Sequence, residues 1–259
     1  MEENSYIEEI EIMIRARYPI IYIISWEEKR VETDLVRIAS KTEKKVFTWS
    51  VTQGLVNSSS SKTSIITNES SKDLLVALDN IQRATDPALY ILRDIHPYMN
   101  DPVIVRKLRD LTTSLRTSFK TVILLSPSLK IPPELEKDIN VIDYKLPTIN
   151  ELGQLLDRLI LSVQNSRKNV EINLDITDKE KLLQAALGLT LAEAESVFAR
   201  AIVSKKRLSV EDISVIYSEK QQIIRKSGLL EFYPTQESMS TVGGVSNLKA
   251  WLRKRSSAF

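Results

Sequence analysis

The sequence predicts a doubly wound α/β domain, built on a parallel five-stranded sheet, followed by a small helical domain. In the first 147 residues, apolar runs of four to six residues alternate with amphipathic helical patterns. Such near-continuous apolar strands are typical of a parallel sheet that helices cover on both faces. After Pro147 the pattern contains helices only. We therefore expect domains at residues 1–147 and 148–232, and a linker with the start of a further module at 233–259.

The α/β half is read element by element from this alternation. The predicted strands are residues 20–24, 45–49, 88–92, 121–126 and 140–144. The predicted helices between them cover residues 6–16, 28–42 and 73–84, and one more begins at Pro102, since proline suits a first helical turn. The polar segment 57–64 predicts a loop or a hairpin tip. Trp49 ends a strand and is expected in the core, whereas Trp26 follows a strand and is expected at the surface.

The helical half is marked by capping signals. A Thr or Ser followed three residues later by an acid predicts a helix start, because hydroxyl and carboxylate satisfy unpaired amides there. Helices are predicted at residues 148–165, 177–186, 191–204 and 210–226. The four signals are Thr148 with Glu151, Thr177 with Glu180, Thr190 with Glu193, and the weaker Ser209 with Asp212.

Composition excludes several classes of protein. The formal net charge is +2 with 27% charged residues, which gives no electrostatic reason to expect nucleic acid as a partner. Cysteine is absent and His96 is the only histidine, so disulfides, thiolate sites and histidine-built metal sites are not expected. No apolar run approaches the ~20 residues of a membrane span. The acidic first residues lack a signal-peptide pattern.

The segment PALYILRDIHPYM raises the question of a metal site. An acid at the end of a buried strand is where a nucleotide hydrolase holds Mg²⁺, and Asp94 has that place. Arg93, however, stands where a second acid would be needed. The alternative is an Arg93–Asp94 pair, with Asp94 capping the next turn and His96 as a turn residue. We predict no metal ligand and treat Asp94 as a degenerate candidate.

The segment after the first strand, ISWEEKRVETDL, lacks a phosphate-binding loop. Such a loop needs glycines, whose amides wrap the phosphates, and then Lys and Ser or Thr at the helix start. Here Trp26 would block close approach of the backbone to a phosphate. Glu27 and Glu28 place negative charge at the helix start, where a phosphate would bind. The pattern G-x-x-x-x-G-K-[ST] occurs nowhere in the 259 residues. We therefore predict no catalytic residue and an acid-capped helix at this place.

Four segments carry a resemblance to a known family. LYILRDIHPYM resembles a Walker B strand, and TVILLSPSLKIPPELEKDINVIDYKLPTINEL is similar to the run from a sensor-one strand to the first lid helix. GLTLAEAESVFARAI resembles a lid helix, and TVGGVSNLKAWLRKRSSAF looks like the opening of a second module. The chain thus resembles, over essentially its whole length, the uncharacterised AAA-domain ATPase family encoded in algal plastid genomes and cyanobacteria.

The resemblance implies a degenerate first AAA module, of the P-loop NTPase type with a helical lid, plus the start of a second. ATPase activity, ATP and Mg²⁺ are expected for the full-length family, whereas this chain alone is expected to hold no cofactor and to be inactive. Val242, Gly243 and Gly244 would border the adenine in the second module. An assembly or regulatory role follows, and a non-catalytic scaffold or adaptor is the alternative.

Partners and location are also implied by the resemblance. It implies self-association into a ring, unknown protein partners, and a plastid stroma, or alternatively the cytoplasm of a cyanobacterium. Whether the chain is a natural truncation or a fragment stays open. Four basic residues on or after one helix fit either a neighbouring subunit's nucleotide or, as we favour, a solvated face with an Arg106–Asp110 pair. They are Arg106, Arg109, Arg116 and Lys120.

Overall fold

The computed structural model describes residues 5–58, 69–165, 171–172, 175–205, 207–208, 213–226 and 243–256. The chain divides into two compact units, Met1–Lys168 with Leu187–Ala199 and Asn169–Ala186 with Arg200–Phe259. The domain boundaries expected after residues 147 and 232 stay a prediction.

The first unit contains a six-stranded sheet and the helices that cover it. Its elements are α1 (Ser5–Arg15), β1 (Ile20–Ile24), α2 (Glu28–Lys41), β2 (Lys45–Ser50), β3 (Gly54–Asn57), α3 (Leu74–Arg83), β4 (Ala88–Arg93), α4 (Pro102–Leu115), β5 (Lys120–Ser126), β6 (Ile139–Asp143) and α5 (Ile149–Asn165). The strand order is β3-β2-β4-β5-β1-β6, and all neighbours are parallel except β2 and β3.

Alternate residues of each central strand enter separate cores on the two faces of the sheet. On one face Tyr22, Tyr90 and Leu124 pack with α3 and α4. On the other, Ile23 and Ile91 pack with α1 and α2. This two-sided burial explains why the strands are apolar throughout. The predicted doubly wound α/β class is confirmed.

The sixth strand, β3, is the main difference from the predicted sheet. It pairs antiparallel with β2 after a tight turn, and Gly54 adopts φ +70 there. A Cβ on Gly54 would lie 2.5 Å from the Ser71 hydroxyl, so the backbone approaches closely at a site that only glycine fits. The strand has only four residues and follows β2 closely, which is why the apolar pattern did not reveal it.

The described part of the second unit consists mainly of helices. Its elements are β7 (Glu171–Ile172), α6 (Ile176–Ala186), β8 (Arg207–Leu208), α8 (Ile213–Lys226) and α9 (Ser246–Ser256), and the helix α7 (Leu191–Lys205) begins in the first unit and ends in the second. Two-residue strands β7 and β8 pair in parallel. Within this unit, α6 packs against α8.

Several local predictions can be compared with these elements. Trp49 is buried, and its Nε1 donates to the Ser71 carbonyl at 2.8 Å, as expected for a core residue. Trp26 is 78% exposed, as expected. The predicted Thr177–Glu180 start is wrong, because α6 begins at Ile176 and the Asp175 carboxylate accepts from the Asp178 amide at 2.7 Å. The Ser209–Asp212 signal lies outside the described residues.

The four basic residues near α4 divide into three exposed side chains and one buried one. Arg106 pairs with Asp110 at 2.5 Å as predicted, and Arg116 pairs with Asp138 at 3.1 Å. Lys120 was expected on a solvated face, and this prediction is wrong. Its ammonium is buried and donates to the carbonyls of Ile81, Gln82 and Ala84, where α3 ends. A buried lysine here satisfies carbonyls that the helix itself leaves unpaired.

Candidate functional site

The candidate site lies at the carboxyl edge of the sheet, where parallel strands end together. Ile24 at the end of β1 is in register with Ser126 of β5 and with Asp143 of β6. Ligands of open α/β sheets bind outside the carboxyl ends of the strands. The turn after β1 reaches this edge, as do Arg93 at the end of β4 and Asp94 after it. The two halves of the candidate site can therefore be compared here.

The turn after β1 is short and held by its own hydrogen bonds. The Ser25 amide donates to the Ser126 carbonyl at 3.0 Å, and the Ser25 hydroxyl accepts from the Glu27 amide at 3.0 Å. Trp26 extends into solvent, whereas the Glu27 carboxylate is buried at the start of α2. The predicted helix is present, but the predicted acid cap is wrong, because Glu27 makes no side-chain capping bond to α2. Its carboxylate has other partners.

Arg30, in the first turn of α2, is the centre of these partners. Its side chain is 7% exposed and binds both oxygens of Glu151, at 2.8 and 2.9 Å from Nη2. Nη1 donates to Glu27 at 2.9 Å and to the Lys145 carbonyl at 2.7 Å. Nη2 also donates to the Tyr6 hydroxyl at 3.1 Å, and the guanidinium lies 4.9 Å from the ring centroid of Tyr144. We call these residues the Arg30 cluster: Arg30, Glu27, Glu151, Tyr6 and Tyr144.

The single cation of the Arg30 cluster is paired with both of its carboxylates. A buried guanidinium is tolerated when carboxylates and further acceptors replace its water, and bidentate pairing to a carboxylate is the strongest such arrangement. Burial alone would raise the pKa of Glu151, but hydrogen bonds from Thr148 and from Arg30 outweigh it and lower the pKa. Burial and a hydrogen bond to Asp34 raise the pKa of Tyr144, whose hydroxyl donates to that carboxylate at 2.5 Å.

Both carboxylates of the Arg30 cluster also serve helix starts. Glu151 accepts from the Thr148 amide at 2.8 Å, and the Glu151 amide donates to the Thr148 hydroxyl at 3.3 Å, so the predicted capping box of α5 is confirmed. The Thr190–Glu193 box of α7 is confirmed in the same way, with bonds of 2.8 and 3.2 Å. The Glu27 carboxylate accepts from the Leu191 amide at 2.6 Å. The first residues of α5 and α7 are thereby tied to α2 within the first unit.

The second half of the candidate site is Arg93, the last residue of β4. Its guanidinium binds both oxygens of Glu32, at 2.5 and 2.8 Å, and lies 3.6 Å from Glu28, both on α2. The hydrogen bonds to Glu32 raise the pKa of Arg93. The predicted partner was Asp94, and the structure corrects this, because α2 brings two acids to the arginine.

Asp94 lies just beyond, in a left-handed conformation with φ 51. Its amide donates to the Leu125 carbonyl at 2.9 Å, and its side chain is 60% exposed. Its carboxylate lies 4.0 Å from Nδ1 of His96, which begins a 3₁₀ turn as expected. The expected cap is wrong, since no side chain caps this turn. Within the described ranges no three His, Asp or Glu side chains group as metal ligands. That Asp94 is a degenerate candidate and holds no metal stays a prediction.

The glycines expected near an adenine lie elsewhere, before α9. Gly244 has φ +73, and a Cβ added at Gly243 or Gly244 would meet no atom of the described residues within 4 Å. Val242 lies outside the described residues. Their role beside an adenine stays a prediction.

Sequence reasoning missed the Arg30 cluster. It read Glu27 and Glu28 as an acidic helix start and gave Arg30 no role. The sequence did contain one indication of the pair between Glu27 and Arg30. They are three residues apart, and opposite charges at this spacing are neighbours on a helix. At this edge two acids, Glu27 and Glu151, pair with the buried Arg30.

Comparison with known proteins identifies the family. Residues 6–144 match the family model described as SpoVK-like AAA ATPase, N-terminal domain, and residues 150–227 match the second domain of the same family. The chain belongs to the SpoVK-like AAA ATPase family.

Curated relatives carry the name uncharacterized AAA domain-containing protein ycf46, a gene of algal plastid genomes, and confirm the resemblance. The relative from Trieres chinensis is 34% identical over 255 residues, covering 97% of this chain and 49% of the relative. The relative from Guillardia theta is 33% identical, covering 98% and 49%. The chain spans about half the length of these relatives.

Solved structures share the fold of this AAA family member. The AAA domain of FIGL-1 in complex with ADP has a TM-score of 0.50 at 13% identity, covering 97% of this chain and 83% of that one. RuvB from Thermotoga maritima has a TM-score of 0.52 at 14% identity, covering 90% and 73%. At these identities the likeness supports the fold alone. In the part of the chain that the structure describes, none of the helices combines the length and apolar character that crossing a bilayer requires.

Proposed function

We propose that this chain is a first AAA module that neither binds nor hydrolyses ATP and that serves assembly or regulation of a longer AAA protein. The observation that carries the proposal is the Arg30 cluster, which fills the place after β1 with paired charges. In this view the cluster links α2 to α5 and α7 without a nucleotide.

The balance of charge supports this proposal. A phosphate at the start of α2 would lie beside Glu27, whose carboxylate already accepts from Arg30 and from the Leu191 amide. Drawing Arg30 towards a phosphate would leave two acids without their cation in a buried place. Leaving a buried charge unpaired costs about 3–5 kcal/mol, which opposes phosphate binding.

The reversal of charge at β4 supports the same reading. Active modules place acids at the end of this strand, where they hold Mg²⁺ near the phosphates. Here Arg93 occupies that end and binds Glu32, and Glu28 is close by. The pairing joins β4 to α2 directly, which is the link that a metal and a nucleotide would otherwise make.

The wider proposal concerns the longer protein. We place the ATP and Mg²⁺ expected for the family in the half of the relatives that this chain does not match, with Gly243 and Gly244 near its adenine. Assembly into a ring follows from the same family relationship. The relatives' plastid gene name supports the plastid stroma as its location, with the cytoplasm of a cyanobacterium as the alternative.

Calorimetry with MgATP and MgADP tests the proposal. We expect no saturable heat at micromolar nucleotide for the wild-type chain, with circular dichroism verifying that it is folded. Micromolar binding by the wild type would overturn it, above all binding that is lost in Asp94→Ala and kept in Asp110→Ala, a change of an exposed acid on α4. The two variants remove the same group from different places, so their comparison separates a metal-dependent site from a general charge effect.

A further inference from the structure

A second charged region lies at the opposite, amino-terminal edge of the sheet. A cleft of about 570 Å³ opens there between the ends of α1 and α2 and the residues that precede β2, β4 and β5. Its charged lining residues are Glu11, Arg15, Arg17, Lys41, Glu43 and Lys44. The cleft lies within the first unit.

Two of the four cations in the cleft are matched by an acid and two are not. Lys41 and Arg15 share Glu11, at 3.1 and 3.9 Å. Arg17 and Lys44 have no carboxylate within ion-pair distance among the residues that the structure describes. Glu43 lines the same cleft without pairing to either of them there. The cleft therefore contains an uncompensated pair of positive charges.

Phe119 orients both of these cations. The Arg17 guanidinium lies 4.1 Å from the centroid of its ring, and Lys44 Nζ donates to its carbonyl oxygen. In the described ranges the Arg17 side chain makes no hydrogen bond, so its planar set of N–H donors is held by stacking and left open. Burial, and then the nearby Arg17, lower the pKa of Lys44. An anion between the two groups would relieve both effects.

Unusual backbone brings these side chains to the cleft. Arg17 and Glu43 adopt φ 60 and φ 53, a region where glycine usually ends a helix. The Tyr18 amide donates to the Met13 carbonyl at 3.0 Å, and the Lys44 amide to the Ala39 carbonyl at 2.9 Å, so both helices end in the same motif. Non-glycine residues here cost about 1–2 kcal/mol, and such outliers cluster at functional sites.

The alternative reading is that basic residues only complement helix dipoles. Helix carboxyl ends attract cations and repel anions. Arg15 and Lys41 already serve this purpose in the last turns of α1 and α2. Arg17 and Lys44 lie beyond those turns, and their arrangement around Phe119 is not required by the dipoles.

We propose that Arg17 and Lys44 form a binding site for a small phosphate-bearing anion at the amino-terminal edge of the sheet. The fork of an arginine and the point charge of a lysine together suit a phosphate group. Glu11 is already bound to the other two cations, so Arg17 and Lys44 are left to take one such group. This site is separate from the Arg30 cluster and does not depend on the proposed function.

Pyrophosphate and inorganic phosphate are the probes, with potassium chloride and acetate at matched ionic strength as controls. For the wild-type chain we expect a saturable rise in Tm, about 4 °C at tenfold excess over Kd, and a smaller rise with acetate. The double variant Arg17→Gln with Lys44→Gln should lose the rise in Tm that the phosphate probes produce. Lys41→Gln removes a lysine that is paired with Glu11 and should keep it.

The site would be contradicted if pyrophosphate and phosphate gave no saturable rise in Tm for the wild type. An equal rise in Tm for the double variant would contradict it as well. Acetylation of Lys44, followed by mass spectrometry, gives a second readout that needs no variant. Pyrophosphate should protect Lys44 and leave Lys41 reactive, and equal labelling with and without pyrophosphate would also overturn the proposal. MgATP binding that persists in the double variant would instead count against the proposed function.

Discussion

The two edges of the sheet carry similar residues in opposite states of compensation. At the carboxyl edge, Arg30 is buried and bound by Glu27 and Glu151. At the amino-terminal edge, Arg17 and Lys44 share a cleft, and neither pairs with an acid among the described residues. Both regions contain an arginine beside an aromatic ring, so residue type alone does not distinguish them.

The two edges differ in the partners that an anionic ligand would displace from each cation. An anion at Arg30 would compete with acids that belong to the fold, whereas an anion at Arg17 would replace only water. Variants at the two edges should accordingly differ greatly in effect.

The largest expected effect is the loss of Arg30. Arg30→Met should destabilise the fold by about 3–5 kcal/mol, because Glu27 and Glu151 would be left without their cation. Thermal unfolding should show a fall in Tm of about 10 °C. Arg37→Met is the control on the same helix, since Arg37 is exposed and pairs with Asp34 only at 3.4 Å, and it should change stability by about 0.5 kcal/mol. Equal changes in Tm for the two variants would contradict the claim that the buried pairing of Arg30 stabilises the fold.

The sheet and the capping boxes could be predicted because their signals are local. Apolar runs identified five strands, and Thr-x-x-Glu spacing located the starts of α5 and α7. Strand β3 escaped because its pairing depends on a tight turn and on Gly54 beside Ser71. Lys120 was misjudged because a charged residue next to a helix is usually solvated, and its burial depends on where α3 ends.

The Arg30 cluster could not be predicted as a whole, for a related reason. Its members come from α1, the start of α2, the residue after β6, and α5, and the bonded pair Arg30 and Glu151 is separated by 121 residues. Charge at the start of α2 indicated that a phosphate would not fit. The partner that balances this charge, Glu151, was visible only as a capping residue. Its second bond, to Arg30, follows from the tertiary fold.

A smaller effect should appear as a dependence on pH. The pKa of Glu151 is lowered from 4.5 in the folded chain, so the unfolded chain binds more protons as the pH falls below about 5. The stability from this group is present above that pH and is lost towards pH 3. Glu151→Gln should cost about 2 kcal/mol at pH 7, and its difference from the wild type should shrink at pH 3.

Urea unfolding at several pH values measures this dependence, and Glu195→Gln is the control. Glu195 is an exposed acid on α7, and its replacement should give a curve parallel to that of the wild type. If Glu151→Gln also gave a parallel curve, the bond between Glu151 and Arg30 would not contribute to stability. The carboxyl edge would then be less tightly compensated than its geometry indicates.

The smallest effect is expected at the amino-terminal edge. Lys44→Met removes a hydrogen bond to the Phe119 carbonyl, which costs about 1 kcal/mol. It also removes repulsion with Arg17 and the cost of burying an ammonium, both of which lower the pKa of Lys44. These terms oppose each other, so urea unfolding should show a change within about 1 kcal/mol. A loss comparable to that of Arg30→Met would mean that Lys44 holds the fold, and the two edges would then be alike.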